Sequence, residues 1–283
     1  MIEQQCTLAR AVEISGVGLF LGRPVRLRCV PASVNSGILF VRTDLPGRPS
    51  VPATIDYVPG PQRWTGLRNG KAEVRMVEHL MAALCGLGID NLVIDANAAE
   101  MPAGDGSAQT FTTPFIEAGL KELDAPRKRL QLNAPLAVVD GEVTLTAVPQ
   151  SEGLTATYVL DYGEHFLRCQ CLTMTITRET FAQQLAPART YVLRPEVDAF
   201  IKMGLGKGAT PENTIVLEEN GEMSAEPRFR DECVRHKILD MIGDLYLAGA
   251  PVAARCVGYK SGHTANVRLA KAIADACAGK KSQ

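Results

Sequence analysis

Strand-like segments precede helix-like segments twice along this chain of 283 residues, and this repeated order constrains the fold more than any other feature. Runs of alternating or apolar residues indicate strands, and apolar residues at helical spacing indicate amphipathic helices. The predicted strands are 25–30, 37–42, 91–95, 135–139, 142–148 and 155–161. The predicted helices are 77–87, 107–120, about 229–249 and 262–278. The order predicts an α+β fold with two domains of similar build and a ligand site between them.

A charged break that contains a proline separates the two halves at Asp124 to Lys128. We therefore predict an N-terminal α+β domain over residues 1–125 and a C-terminal α+β domain over residues 126–283. Residues 58–71 are rich in Pro, Gly and Arg without any periodicity, which predicts a loop or a short insert. A glycine-containing segment at about 190–226 is interpreted as an insert in the C-terminal domain.

The charge balance limits the classes of partner. With 30 Lys and Arg against 31 Asp and Glu, the formal net charge is −1 at pH 7. Nucleic acid is not an expected partner, because binding to phosphates needs a surplus of cations. A composition of 46% hydrophobic and 22% charged residues is typical of a globular protein and argues against a disordered or fibrous one.

Cysteine usage and hydrophobic patterning indicate the compartment. The eight cysteines include no CxxC pair and lack the spacing of small secreted domains, so we expect reduced, structural thiols. The N-terminus lacks the basic and apolar regions of a signal peptide. The longest weakly charged stretch, 245–254, is too short to cross a bilayer and contains Pro251. We therefore expect a cytoplasmic protein without stable membrane insertion. No motif in the sequence identifies a protein partner.

The predicted helix around residues 234–245 carries the strongest candidate for chemistry. His236, Asp240 and Asp244 are four residues apart in turn, so their side chains lie along one helix face. An imidazole and a carboxylate at this spacing can bind one metal ion. The same spacing also arises where a partly buried histidine is paired with a carboxylate of its own helix. For a lone pair of this kind, that second interpretation is favoured.

Glu78 and His79 in the other half strengthen the metal hypothesis. A catalytic zinc ion takes three protein ligands and keeps one open position. His79 could complete a set with His236 and Asp240, which would leave Glu78 beside the metal as a general base. Alternatively, Glu78 is an ordinary acidic residue in the first turn of a helix, where the helix dipole favours it. The residues by themselves support both interpretations equally.

The two remaining histidines lie in different contexts. His263 follows a polar turn between an apolar strand and the last helix, so it is either a functional acid or simply a helix N-terminal residue. His165 has no partner pattern, and we interpret it as structural or surface-exposed.

Together these motifs resemble those of the UDP-3-O-acyl-N-acetylglucosamine deacetylases (LpxC), zinc enzymes of lipid A biosynthesis. The similarity runs in order along nearly the whole chain, from Gly16 to the last helix. It is carried by the segments 16–19, 77–91, 105–108, 188–190, 229–244 and 260–263. In combination these motifs are highly specific.

The resemblance implies a fold and a metal site. Each of the two α+β domains would be a β-sheet packed on two helices, with the metal in the cleft between them. His79, His236 and Asp240 would bind Zn²⁺. Fe²⁺ is an alternative, because two imidazoles and a carboxylate suit that ion as well.

The resemblance also implies catalytic roles. Glu78 would be the general base that activates water, and a protonated His263 would stabilise negative charge and protonate the amine leaving group. Asp244 would orient His263, and Thr190 would stabilise the oxyanion. Lys237 would contact the sugar nucleotide.

A passage for the substrate's acyl chain is expected within the insert. Its candidates are apolar residues at helix-like spacing, for which plain core packing is an equally good explanation. They are Leu193, Val197, Phe200, Ile201 and Met203.

The sequence departs from the family pattern at three places. Phe20 and Leu21 stand where the family has a His-Thr pair, and Arg75 and Met76 stand where it has Ser-Thr. Lys207 lies where an apolar residue is usual. Because a buried ammonium group is costly unless it reaches water, Lys207 is expected to shorten the passage or to meet an acidic group.

Three functional hypotheses follow. The first is a metal-dependent deacetylase that removes the N-acetyl group from a UDP-3-O-acyl-N-acetylglucosamine, the committed step of lipid A biosynthesis. The second, motivated by Phe20, Leu21 and Lys207, is a divergent paralogue that deacetylates another amino sugar. The third is a non-catalytic zinc-containing protein that binds an acylated nucleotide sugar. The third hypothesis is less favoured for two reasons. A purely structural zinc site is normally closed by four protein ligands, and it has no use for Glu78 and His263.

Overall fold

The computed structural model describes residues 3–60, 63–163, 167 and 169–279, so His165 lies outside the described residues. The strands are β1 (Gln4–Leu8), β2 (Val12–Val17), β3 (Pro24–Pro31), β4 (Ile38–Arg42), β5 (Ser50–Pro52), β6 (Gly66–Asn69), β7 (Ala72–Arg75), β8 (Leu92–Ala96), β9 (Leu120–Pro126), β10 (Leu130–Gln131), β11 (Leu136–Asp140), β12 (Val143–Pro149), β13 (Leu154–Asp161), β14 (Cys169–Ile176), β15 (Tyr191–Leu193), β16 (Ile215–Leu217) and β17 (Val252–Tyr259). The helices are α1 (Glu78–Leu87), α2 (Gln109–Ala118), α3 (Arg178–Thr180), α4 (Arg194–Lys202), α5 (Glu232–Tyr246) and α6 (His263–Cys277). A 3₁₀ turn, Ile55–Tyr57, and a π-helical turn, Phe181–Leu185, complete them.

Two main sheets arise from the two halves of the chain. The first has the strand order β2-β3-β8-β4-β5, in which β4 and β8 are parallel and the other pairs antiparallel. The second has the order β11-β12-β17-β13-β14, with β10 also paired to β17. Helices pack on both sheets, and the predicted α+β class is confirmed.

Strand β3 shows why the alternating segments form half-buried strands. Its Val25, Leu27 and Cys29 are buried, and the arginines between them are exposed. Side chains of a strand point alternately to opposite faces, so one face packs on the core and the other meets solvent. The strand predicted at 25–30 is thus confirmed.

Helices α1 and α5 cross at the centre of the molecule and join the two halves. A Cβ atom on Gly243 of α5 would lie 2.1 Å from the backbone oxygen of Glu78 in α1, so this close approach requires glycine. The crossing brings Asp240 and Asp244, which flank Gly243, next to the first turn of α1. Helix α6 also packs against α5.

Segment 58–71 differs from the sequence-based prediction, and the predicted insert has a regular structure of its own. The loop predicted at 58–71 contains strand β6, which pairs with β7 in an antiparallel hairpin. Gly70, with φ of 55°, supplies the left-handed turn residue after Asn69. The insert forms a β-α-β unit in which β15 and β16 are parallel and α4 connects them.

The predicted domain boundary falls at the end of a strand. Strand β9 extends to Pro126 and pairs with β1 from the start of the chain. The division into domains 1–125 and 126–283 therefore stays a prediction. All eight cysteines lie in the described part of the chain, and all are free thiols. Within the described ranges, every helix is too short or too polar to span a membrane.

Candidate active site

The predicted catalytic and metal-binding residues converge from four parts of the chain. Glu78 and His79 begin α1, and His263 begins α6. His236, Lys237, Asp240 and Asp244 lie on α5, and Thr190 immediately precedes β15. All of them except the fully buried Asp244 line one cavity of about 610 Å³.

The three predicted metal ligands lie close together. One ligand atom from each of His79, His236 and Asp240 lies within 4.8 Å of the others. The Oδ1 atom of Asp240 is 3.6 Å from Nε2 of His79 and 3.5 Å from Nε2 of His236. These distances leave room for a cation between the three atoms.

Hydrogen bonding supports the fit of a cation. The ring Nδ1 of His236 lies 3.0 Å from the carbonyl oxygen of Ala188, which can only accept, so Nδ1 donates and Nε2 is free to ligate. Asp240 Oδ1 is buried without a hydrogen-bond partner among the described residues. Buried polar atoms are normally satisfied, so an unpaired carboxylate oxygen at this point fits a bound metal ion.

The charge states of His236 and Asp240 also fit the binding of a cation. Burial lowers the pKa of His236 to about 4, which keeps its imidazole neutral. Burial of Asp240 by itself raises its pKa, but His236, His79, His263 and Lys237 hold that pKa well below its ordinary value. A neutral imidazole and an ionised carboxylate are the forms that bind metal.

The carboxylate of Glu78 has a raised pKa. It is 3% exposed, and this burial raises its pKa to about 7 against the opposing charges of His263 and His79. Its Oε2 accepts a hydrogen bond from the backbone N–H of Thr65 at 3.1 Å. Its Oε1 lies 3.8 Å from Nε2 of His263.

The pKa of His263 is raised as well, but by a neighbouring charge. Burial alone lowers its pKa, but the charge and hydrogen bond of Asp244 outweigh burial and raise it to about 10. The ring Nδ1 of His263 donates to Oδ2 of Asp244 at 2.9 Å. At neutral pH the ring is therefore an imidazolium whose Nε2 faces Glu78.

Lys237 and Thr190 occupy the same cavity wall. The Nζ atom of Lys237 lies 3.5 Å from Oδ2 of Asp240. Burial opposes the charge of this lysine, but Tyr158 and Asp240 raise its pKa and keep it protonated. Thr190 is fixed through its backbone, since its N–H donates to Gly106 and its carbonyl accepts from Ile215.

Only part of the residue set predicted for the acyl passage lines the cavity. Val197, Phe200 and Ile201 line the cavity, but Leu193 and Met203 are absent from its described lining. Leu193 ends β15 and packs against the core, and Met203 caps the C-terminus of α4 with 56% of its surface exposed. Other apolar residues also line the cavity, among them Leu19, Phe20, Met76, Val192, Leu205 and Val216.

Lys207 does not act on the passage in the way the sequence suggested. Its side chain is exposed and lies outside the described lining of the cavity, so the structure shows no contact of this ammonium group with the cavity. Its backbone N–H donates to the carbonyl oxygen of Phe20 at 3.1 Å. Lys207 therefore contacts the lining residue Phe20 only through this described main-chain hydrogen bond.

Phe20 belongs to an aromatic cluster at the cavity wall. Its ring centroid lies 4.8 Å from that of Trp64 and 5.7 Å from that of Phe200 in α4. The carboxylate of Glu100 accepts hydrogen bonds from the backbone N–H groups of Phe20 and Leu21 at 2.5 and 3.0 Å. The segment that departs from the family pattern is thus tightly held.

Sequence reasoning missed Thr65 and Glu100. Thr65 lies in the segment that was interpreted as a loop, and it contacts both Glu78 and Asp244. The Asn69-Gly70 turn could have indicated a hairpin there, but no local pattern points Thr65 at the site. Glu100 had no signal of any kind in the sequence.

The chain matches the family model of LpxC, UDP-3-O-acyl N-acetylglycosamine deacetylase, over residues 5–275. The protein belongs to this family. The LpxC resemblance seen in the sequence is thereby confirmed, and the chain is a hydrolytic enzyme of the deacetylase class. The LpxC family is metal-dependent, and His79, His236 and Asp240 are a possible metal site of this member.

Curated relatives agree over nearly the whole length of the chain. A UDP-3-O-acyl-N-acetylglucosamine deacetylase from Thermosynechococcus vestitus is 40% identical over 270 residues, which are 95% of this chain and 94% of that protein. The enzyme of the same name from Chlamydia pneumoniae is 39% identical over 280 residues, covering 98% and 99% of the two chains. The one from Anaeromyxobacter dehalogenans is 39% identical over 270 residues, covering 95% and 87%.

Proposed function

We propose that this protein removes the N-acetyl group from a UDP-3-O-acyl-N-acetylglucosamine and releases acetate, a step of lipid A biosynthesis. One observation carries the proposal: Glu78, His263 and a His-His-Asp set line the same cavity. Amide hydrolysis needs an activated water, a stabilised oxyanion and a proton for the departing nitrogen. The printed name of the LpxC family and of its relatives supplies the substrate class.

His79, His236 and Asp240 would hold the metal ion. Two imidazole nitrogens and one carboxylate oxygen are ordinary zinc ligands, and three protein ligands leave a position open, so Zn²⁺ is the ion that we propose. Fe²⁺ has similar preferences and is the alternative. Bound there, the ion would act as a Lewis acid and make water a better nucleophile.

Glu78 is the proposed general base. It takes a proton from water while the water oxygen forms a bond to the acetyl carbonyl carbon. Its pKa of about 7 suits this role, because a base poised near the working pH is ionised and still accepts a proton readily. Thr190 is the proposed hydroxyl partner of the carbonyl oxygen as negative charge develops on it.

His263 is the proposed general acid. Asp244 occupies its Nδ1, so the proton on Nε2 is the one directed into the cavity. As the C–N bond breaks, His263 gives this proton to the sugar nitrogen, and the products are acetate and a free amine. Before that step the imidazolium charge stabilises the oxyanion.

The cavity also offers two unlike surfaces for the remainder of the substrate. Lys237 is the proposed cationic contact of the sugar nucleotide. Val197, Phe200 and Ile201, together with Phe20, are the proposed apolar wall for the acyl chain. A ligand with both an anionic and an apolar part matches such a cavity, and the proposed partner is therefore a small acylated nucleotide sugar.

The site lies where α1 of the first half crosses α5 of the second, which supports the proposed division into domains 1–125 and 126–283. We also propose a cytoplasmic location. The eight free thiols support it, because disulfides form in oxidising compartments and thiols persist in reducing ones.

The test is acetate release by the purified, metal-loaded protein from acylated UDP-N-acetylglucosamines of several chain lengths. We expect turnover by the wild type and by Glu122→Ala, an exposed residue of β9, and its loss in Glu78→Ala. Release from a different N-acetylated amino sugar alone would support the paralogue instead. Substrate binding without release by the wild type would support the non-catalytic binding protein.

A further inference from the structure

Thr65 lies next to both the proposed general base and the proposed general acid. It is 1% exposed and lies just before β6. Its backbone N–H donates to Glu78 Oε2 at 3.1 Å, and its hydroxyl donates to Asp244 Oδ1 at 2.5 Å. Its Oγ1 is also 3.3 Å from Nδ1 of His263. We infer that Thr65 is a positioning residue that fixes the proposed base and the proposed acid relative to each other, an inference that rests on the proposed function.

On the side of the base, Thr65 is tied to the start of α1 by two main-chain hydrogen bonds. Its carbonyl accepts from the N–H of Val77 at 3.1 Å, and its own N–H donates to the carboxylate of Glu78. The bond to Oε2 fixes one oxygen of the carboxylate. The other, Oε1, is left facing His263 at 3.8 Å, and it is the atom that can accept a proton in the cavity.

On the side of the acid, Thr65 completes the hydrogen bonding of Asp244. Oδ2 of Asp244 accepts from His263 Nδ1 and from Asn266 Nδ2, each at 2.9 Å. Oδ1 accepts from the Thr65 hydroxyl. A carboxylate bound at both oxygens cannot rotate, so it holds the imidazole of His263 in one orientation. The side chain of Thr65 therefore acts on His263 through Asp244.

A merely structural role would also place a hydroxyl beside a buried carboxylate, so stability alone cannot separate the two roles. The separating property is the step that is affected. Misplacement of reacting groups by about 1 Å can lower a rate about 100-fold without any loss of substrate contacts. A positioning residue therefore changes kcat and leaves KM almost unaltered, since Thr65 is absent from the described lining of the cavity.

The experiment compares Thr65→Val, which keeps the shape and loses the hydroxyl, with Thr65→Ser, which keeps the hydroxyl. The matched control is Thr112→Val on α2, another buried threonine, whose hydroxyl donates to the carbonyl of Ala108. We expect Thr65→Val to lower kcat about 10- to 100-fold at a temperature where all variants are folded. Thr65→Ser should restore kcat to within about threefold, and Thr112→Val should leave it unchanged. Thr65→Ala makes the same deletion if the valine variant does not fold.

Two further measurements make the result decisive. In an Asp244→Asn background, Thr65→Val should cause no additional loss of kcat, because the hydroxyl acts through Asp244. In the NMR spectrum of histidine-labelled protein, Thr65→Val should shift the Nδ1 proton signal of His263, and Thr112→Val should not. Equal kcat in the valine and serine variants, or an additive loss in the double variant, would overturn the inference. Wild-type protein that releases no acetate would instead overturn the proposed function, while the NMR comparison would still test Thr65.

Discussion

Glu78 Oε1 and His263 Nε2 face each other across the cavity at 3.8 Å, and their proton affinities are shifted upward for different reasons. Burial raises the pKa of Glu78 to about 7. Asp244 raises the pKa of His263 to about 10, in spite of its burial. Between these values the carboxylate is ionised and the imidazole is protonated. A base and an acid thus coexist at this distance over a range of neutral to alkaline pH.

This pair predicts a bell-shaped dependence of kcat/KM on pH. Activity should rise as Glu78 loses its proton, at pH 7 or below, because a cation bound next to His79 would lower the pKa of Glu78 by charge attraction. Activity should fall as His263 loses its proton, at pH 10 or below, because the same cation would lower the pKa of His263 as well. A stopped assay across this range measures both limbs. Activity that keeps rising above pH 10 would contradict the role of His263 as an acid.

Metal removal should destabilise the protein. A ligand that binds only the folded state at 100 times its Kd adds about 2.7 kcal/mol to the free energy of unfolding. We expect a chelator to lower Tm and added Zn²⁺ to restore it. Asp240→Ala should abolish the response, and Asp140→Ala, which changes a 68% exposed aspartate, should keep it. The same Tm with and without metal in wild-type protein would refute the proposed metal site.

The helices that carry the proposed metal ligands could be predicted from the sequence. His236, Asp240 and Asp244 follow one helix face at a local spacing, and this periodicity survives in α5. Thr65 could not be predicted in the same way. Its bond to Asp244 joins residues 179 positions apart, and it exists only because α1 and α5 cross where they do. No local pattern encodes such a contact.

The residues of α4 that line the cavity could not be predicted from the sequence either. Helical spacing identified α4 as amphipathic, but spacing does not say which face of a helix meets a cavity. Helix α4 connects the parallel strands β15 and β16, and in this arrangement Phe200 lines the cavity while Met203 is exposed. The placement of Lys207 has the same origin, since only the fold shows that its side chain is exposed and outside the described lining of the cavity.

Phe20 should influence which acyl chains are accepted. Replacement by alanine removes its ring contacts with Trp64 and Phe200 and enlarges the apolar part of the cavity. We expect kcat/KM to shift toward longer or bulkier chains in Phe20→Ala, measured as acetate release across a chain-length series. Phe20→His, which restores the residue usual in the family, tests the departure itself. Val139→Ala, at a 62% exposed position, is the control. A uniform loss at every chain length would mean that Phe20 only supports the fold.

Gly243 should not tolerate a methyl group. On helix propensity alone, alanine would stabilise α5 by about 0.8–1.0 kcal/mol. The added Cβ would instead meet the backbone of Glu78 at 2.1 Å, so we expect a decrease in the free energy of unfolding of about 1–3 kcal/mol. Gly262→Ala is the control, because nothing lies within 4 Å of the Cβ it would add. Denaturant titration measures both. A more stable Gly243→Ala variant would contradict the close crossing of α1 and α5.

The most direct test of the whole account is a titration of metal-free protein with Zn²⁺, in which acetate release from an acylated UDP-N-acetylglucosamine is measured at each step. We expect activity to rise in proportion to added metal up to one ion per chain. In Glu78→Ala we expect one ion still to bind and no acetate to be released. Full occupancy by one ion in wild-type protein without any release of acetate would contradict the central claim.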